Sequence, residues 1–210
     1  MQVKNIILDF GGVIIDVSYD AAASAFKKLG LKHFDEIYSQ KKQEHFFDDY
    51  EKGIISDDEF RNEIKRHLAK SVTDEQIDAA WNLMVFSIPQ GRVEFLRQLK
   101  INYRLFLLSN TNNIHLASWS KTIENDFGPK ILEELFEKAY FSCRMNMRKP
   151  DSEIFQHVMN ENNLKASETI FIDDSIQHVE GAKIAGLIAF HLDLAKTTLE
   201  KFYPEIIKTY

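Results

Sequence analysis

Cysteine is nearly missing: Cys143 is the single one in 210 residues, so no intrachain disulfide can form and a reducing, cytoplasmic compartment is the expectation. The opening MQVKNIILDF lacks the apolar run and small-residue cleavage site of a secretory signal, which points the same way. No stretch approaches the roughly 18 consecutive apolar residues of a membrane span, so no membrane partner is expected. A basic excess is also missing. Lys and Arg number 26 against 32 Asp and Glu, and the net charge of −6 repels a phosphate backbone, which argues against nucleic acid as a partner. The seven histidines show no HxH or HExxH spacing for zinc, and Gly11-Gly12 is not a GxGxxG dinucleotide fingerprint.

What is present is an ordinary globular composition, 44% hydrophobic and 28% charged, in a length that suits one core with an insertion. Asn5-Ile6-Ile7-Leu8-Asp9 is a short apolar run ending in an acid, followed by the turn residues Gly11-Gly12, and reads as a buried strand feeding a loop. The pattern recurs at 103–108, which runs into Ser109-Asn110-Thr111-Asn112, and at 169–172, which runs into Asp173-Asp174-Ser175. Weaker runs at 139–141 and 188–192 bring the expected sheet to five strands. Helical periodicity at 90–100, 151–162 and 176–185 alternates with these runs. The expected fold is therefore α/β, a Rossmann-like parallel sheet with helices on both faces. Residues 18–88 break the rhythm, with helical periodicity, no convincing strand, and capping boxes at Ser56-Asp57-Asp58-Glu59 and Thr73-Asp74-Glu75-Gln76. The organisation predicted is a core of residues 1–17 and 89–210, with residues 18–88 as an all-helical insertion after the first strand.

Ligands of parallel sheets bind outside the carboxyl ends of the strands, so Asp9, Ser109 and Asp173 are expected to converge. Taken singly, Asp9 fits an Asx turn and Arg148-Lys149 a solvated surface pair. Taken together they read differently. Asp173 and Asp174 side by side repel in a crevice that already holds Asp9, and a hard divalent cation, Mg2+, is the usual remedy. Lys149, just ahead of Pro150 and a helix, supplies the positive charge that a phosphoryl group and a carboxylate nucleophile both require.

These pieces in this order, carried by the strings DFGGVIIDV, LSNTNNIH, MRKPDSEIFQHV and FIDDSIQHVEGAKIAGL, resemble the haloacid dehalogenase superfamily of phosphotransferases, and within it the sugar-phosphate phosphatase branch. The resemblance implies that Asp9 is the aspartyl nucleophile, that Ser109 or its neighbour Asn110 binds phosphate, that Lys149 is the motif-three lysine and that Asp173 and Asp174 bind metal. Asp9 and the Gly11 carbonyl complete the implied Mg2+ set, and Gly11, Gly12 and Lys149 join Ser109 and Asn110 around the phosphate. The resemblance also implies that residues 18–88 are the family's small helical cap over a catalytic core of 1–17 and 89–210, and the implied activity is Mg2+-dependent hydrolysis of a small phosphorylated metabolite through an aspartyl-phosphate. Two alternatives use the same fold: a phosphate-binding regulatory protein with little turnover, and a metal-independent haloacid dehalogenase, which gains nothing from adjacent acids.

The sequence departs from the family pattern at Gly11, where most phosphatases of the superfamily carry a second aspartate. A general acid/base of that kind contributes about 10²–10⁴-fold. A hemiacetal oxygen leaves with less need of a proton, so the departure favours an anomeric hexose phosphate. Asp16 reads as a flap or turn residue rather than a substitute. The segment 45–53 mixes aromatic and charged groups and either faces substrate or packs within the cap. Trp81 and Phe86 read as cap core, His115 as structural, Asn112 and Asn113 as capping or turn residues, and Cys143 as a small buried thiol. The tail from Leu199 reads as an amphipathic helix packed on the core. The oligomeric state is not written in the sequence.

Overall fold

The computed structural model describes residues 2–38, 44–68 and 71–208. Its strands are β1 (Asn5–Leu8), β2 (Arg104–Ser109), β3 (Lys138–Phe141), β4 (Thr169–Asp173) and β5 (Ile188–His191), each within one residue of the expected run at either end. Between β1 and β2 the chain passes through α1 (Tyr19–Leu29), α2 (Phe34–Ile37), α3 (His45–Glu51), α4 (Asp57–Arg66), α5 (Asp74–Asn82) and α6 (Gln90–Lys100). After β2 come α7 (Asn113–Phe127) and α8 (Ile131–Leu135), and after β3 come α9 (Ser142–Met145) and α10 (Ser152–Glu161). The last crossover is α11 (Ile176–Ile184), and α12 (Leu199–Ile207) follows β5.

All five strands are parallel, in the order β3-β2-β1-β4-β5. Successive side chains on a strand point to opposite faces, and buried parallel strands need apolar residues on both. Ile6, Leu8, Leu105, Leu107, Ile170 and Ile172 accordingly build one core layer, against α6, α7, α8 and α12. Ile7, Phe106, Leu108 and Phe171 build the other, against α10 and α11. The tail helix buries Leu199, Tyr203 and Ile206, as its amphipathic pattern predicts.

The helices between β1 and β2 have a hydrophobic cluster of their own, with Phe26, Phe34, Phe47, Phe60, Ile77 and Trp81 at its centre. Phe26 and Phe34 stack at 4.5 Å. Both capping boxes form: the Ser56 amide donates to Glu59 Oε2 at 2.7 Å, and the Thr73 amide donates to Gln76 Oε1 at 3.0 Å. Phe86, expected in this cluster, is instead 48% exposed. It lies on the returning strand of chain, where its amide donates to the Asp16 carbonyl at 3.1 Å and its ring has left the helical layer.

The sheet order sets the location of the site. The chain winds outward from β1 to β3, then returns to lay β4 on the other side of β1, so the topological switch point lies between β1 and β4. Leu8 pairs with Ile172, and the Asp9 amide donates to the Ile172 carbonyl at 3.0 Å. Asp9 and Asp173 therefore stand level at the ends of adjacent strands, about 4.8 Å apart in the pairing direction. Among the described residues no helix is long and apolar enough to cross a membrane.

Candidate active site

Two carboxylates brought level at the buried rim repel, and the structure sets a cation between them. The Lys149 ammonium donates to Asp9 Oδ1 at 2.5 Å, to Asp173 Oδ2 at 2.7 Å and to the Leu108 carbonyl at 2.9 Å, which occupies all three of its protons. Lys149 is fully buried, and the surface reading of Arg148-Lys149 fails here. Its turn is fixed from two sides. Asn110 clasps it, accepting from the Lys149 amide and donating to the Lys149 carbonyl, each at 2.9 Å. Below lies Gly181 of α11, where an added Cβ would stand 2.1 Å from the Pro150 carbonyl oxygen. The Lys149-Pro150 peptide bond is cis.

The carboxylates respond differently to this setting. Burial pushes Asp9 up from 3.8 to about 6; Lys149 pulls against that, and Asp173 adds to it. Burial works on Asp173 in the same sense, but Lys149 and His178 outweigh it and hold that carboxyl well below its ordinary range. His178 Nδ1 lies 3.0 Å from both Asp173 oxygens, and the Ser175 amide donates to Asp173 Oδ1 at 2.8 Å. Burial opposes the charge on Lys149, and the two aspartates more than restore it, carrying the ammonium above 10.5.

Asp174 completes an acidic cluster: ligand oxygens of Asp9, Asp173 and Asp174 all lie within 4.8 Å of one another. Hard carboxylate oxygens converging at a buried rim, with one lysine against three acids, fit a small divalent cation such as Mg2+. Gly12, at φ +76°, serves this cluster through its missing side chain, since a Cβ there would approach Asp174 Oδ2 to 2.9 Å. Gly11 and Ser109 border the cavity above the acids, and the Ser109 hydroxyl donates to the Asn110 carbonyl at 3.3 Å.

That cavity measures about 110 Å³ and has two kinds of wall. The strand tips contribute Asp9, Gly11, Ser109, Asn110 and Asp174, and the helices between β1 and β2 contribute Tyr19, Tyr38, Glu51 and Met84. Segment 45–53 divides between the two roles read for it, since Phe47 and Tyr50 are buried in the helical cluster while Glu51 faces the cavity. Burial, reinforced by Asp174, Glu51, Asp9 and Asp173, raises the Tyr19 phenol and keeps it protonated. Asp16 is not among the cavity walls and pairs with Arg92 at 3.3 Å.

His115 and Asn112, read as structural and capping residues, are buried and hydrogen-bonded, and both also line the cavity. Asn112 caps α7, and its Oδ1 accepts from the His115 amide at 3.0 Å and from Trp81 Nε1 at 3.4 Å. Cys143 is half-buried, and burial raises its thiol. Sequence reasoning missed Tyr19, Glu51 and His178 as individual site residues. His178 had a signal, since DDSIQH sets an imidazole in the first turn of the helix that follows the acids.

Sheet order, helical insertion and acid cluster together define a parallel α/β protein with a carboxylate centre at the strand tips. The sequence matches the haloacid dehalogenase-like hydrolases over residues 3–186, and the chain belongs to that family. It is 33% identical over 189 residues to D-ribitol-5-phosphate phosphatase of Bacteroides thetaiotaomicron, an alignment covering 90% of this chain and 91% of that one. A haloacid dehalogenase family enzyme from the same organism, solved with magnesium and inorganic phosphate, superposes with a TM-score of 0.84 at 34% identity, over 95% of this chain and 99% of the other. A structure described as a predicted hydrolase of the family from Porphyromonas gingivalis gives 0.83 at 30% identity, over 100% and 98% of the two chains.

Proposed function

We propose that the protein is a Mg2+-dependent phosphatase of small, polyhydroxylated phosphomonoesters that works through an aspartyl-phosphate on Asp9, with residues 18–88 as the cap over the site. The observation that carries this reading is the fully buried Lys149 ammonium shared by Asp9 and Asp173. A surface ion pair has no need of such burial, whereas a carboxylate nucleophile facing an anionic ester does. The magnesium complex of the similar Bacteroides enzyme supports the metal assignment.

In this reading an Asp9 oxygen attacks phosphorus, the ester P–O bond breaks, and the leaving alkoxide takes up a proton. Water then cleaves the aspartyl-phosphate, which releases inorganic phosphate and regenerates Asp9. Lys149 steadies the nucleophile and offsets charge on the phosphoryl oxygens, and Ser109 borders the phosphate. Asn110 acts at one remove by holding the lysine turn. Asp9, Asp173, Asp174 and the Gly11 carbonyl would hold Mg2+, which would supply Lewis-acid neutralisation of the phosphoryl charge. Tyr19 faces the leaving group as a neutral hydroxyl. Ribitol 5-phosphate, the ester in the relative's name, is a primary-alcohol phosphate, so the proposed substrate class extends beyond the anomeric phosphates that Gly11 favours.

The test is phosphate release from 4-nitrophenyl phosphate and from a panel that sets ribitol 5-phosphate beside glucose 1-phosphate. Hydrolysis that requires Mg2+, stops with EDTA and is abolished in Asp9→Asn is expected. A beryllofluoride complex without any phosphate release overturns this in favour of a phosphate-binding regulator. EDTA-insensitive release of halide from a haloacid overturns it in favour of a dehalogenase.

A further inference from the structure

We propose that the Tyr19 hydroxyl is a catalytic hydrogen-bond donor to the leaving oxygen, which lets the site cleave esters of unactivated alcohols without the acid missing at Gly11. This rests on the hydrolase reading above and extends it to the residue that sets which alcohols can leave.

In-line displacement puts the leaving oxygen on the side of phosphorus opposite the attacking Asp9 oxygen, so it faces away from the strand tips and towards the helical wall of the cavity. Most polar groups on and around that wall are committed elsewhere. The Tyr38 hydroxyl donates to Met84 Sδ at 3.9 Å, and Arg148 Nε and Nη2 donate to Glu51 Oε2 at 3.1 and 2.8 Å. Both ring nitrogens of His115 are engaged, one 3.0 Å from the Trp81 carbonyl and the other 3.3 Å from Asn112 Nδ2. His178 Nδ1 is occupied by Asp173, at the strand-tip side. The Tyr19 hydroxyl has no hydrogen-bond partner among the described residues, and Tyr19 borders the cavity that holds Asp9 and Asp174.

Tyr19 is also held in place. It opens α1 at the point where the chain leaves the core, directly after the cap residue Ser18, whose hydroxyl accepts from the Ala21 amide at 3.2 Å. The Ser18 amide donates to the Met84 carbonyl at 2.8 Å, and Val17 forms an antiparallel bridge with Val85, so the outgoing and returning chains are tied together beside Tyr19. Its ring lies 6.0 Å from that of Tyr38. The phenol stays neutral in this setting, through burial first and then the surrounding acids, so it meets the substrate as a donor. In a loose transition state negative charge builds on the leaving oxygen. A fixed donor aimed at that charge stabilises it, and loss of one such donor typically costs about 10²–10³-fold. The benefit is largest for an alkoxide, which keeps its charge on oxygen, and smallest for 4-nitrophenolate, which spreads it over the ring and the nitro group.

The test is kcat/KM for 4-nitrophenyl phosphate, phenyl phosphate and the best alkyl ester of the panel above, in the wild type and in Tyr19→Phe. The variant is expected to lose at least about a hundredfold on the alkyl ester, less on phenyl phosphate and under about tenfold on 4-nitrophenyl phosphate, so that its rates depend more steeply on leaving-group acidity. A purely structural role lowers all three by one factor, and that result overturns the proposal, as do wild-type rates in the variant. The wild type alone supplies a second reading, independent of whether the variant folds: its two aryl esters are expected to differ by less than about tenfold. A steeper wild-type dependence overturns the proposal, and so does a wild type that cleaves the aryl esters and no alkyl ester. A wild type that cleaves none of the three overturns instead the hydrolase reading beneath it.

Discussion

Asp9→Asn is expected to stabilise the metal-free protein while it destroys turnover. The Asp9 side chain is 10% exposed and shares one ammonium with Asp173, so ionised Asp9 leaves the buried group with surplus negative charge. Its folded pKa, about 6, lies above the ordinary 3.8 of an unfolded chain, so between those values the folded state holds the extra proton. The destabilisation is fully present above pH 6, is about half gone near pH 5, and vanishes as the pH falls below 4. At 1.36 kcal/mol per pK unit, the shift from 3.8 to about 6 corresponds to about 3 kcal/mol. Asparagine has the same shape without the charge, and it leaves Lys149 and Asp173 as a balanced pair. Urea unfolding of both proteins in EDTA, at pH 7.5 and pH 4.5, measures the difference. The variant is expected to be more stable by about 3 kcal/mol at the higher pH and by only about 1 kcal/mol at the lower. Saturating Mg2+ is expected to narrow the gap by stabilising the wild type, whose acid cluster binds it better. A variant that is less stable than the wild type at pH 7.5 without metal, or a difference that ignores pH, refutes the reasoning.

Two further substitutions probe how the site is held. Gly181→Ala sets a methyl group against the Pro150 carbonyl at a separation that backbone cannot accept, so α11 and the lysine turn must part. Loss of at least tenfold in kcat with an unchanged far-ultraviolet circular dichroism spectrum is expected, and wild-type kcat would show that the turn does not depend on that contact. His115 is buried as the neutral ring, its Nε2 3.0 Å from the Trp81 carbonyl and its Nδ1 3.3 Å from Asn112 Nδ2, and burial lowers it from 6.5 to about 4. The unfolded chain therefore takes up the proton first, and stability is lost as pH falls from 6.5 towards 4, by about 3 kcal/mol in all. His115→Gln lacks that proton, and parallel pH profiles of unfolding for the two proteins would contradict the assignment.

The strands and their polar tips were legible in the sequence because a buried parallel sheet demands apolar residues on both faces and releases them only at the rim. Asp9, Ser109 and Asp173 mark those points where the demand ends, and the register of β1 against β4 does the rest. The burial of Lys149 was not legible from its neighbourhood. It depends on Asn110, from 39 residues earlier, and on the clearance left by Gly181, neither of which alters the local charge pattern. Phe86 misled for a similar reason, since hydropathy records the residue type and not the point at which the chain leaves the helical layer.

The same dipeptide shows why the roof and the floor of the site are mechanically one object. Lys149 turns inward to the carboxylates of β1 and β4, and Arg148 turns outward to the carboxylates of α3. One short piece of backbone, clasped by Asn110, therefore fixes both the ammonium shared by Asp9 and Asp173 and the guanidinium paired with α3. Lifting α3 from the core removes the acid partners of Arg148 and loosens the turn that aims Lys149.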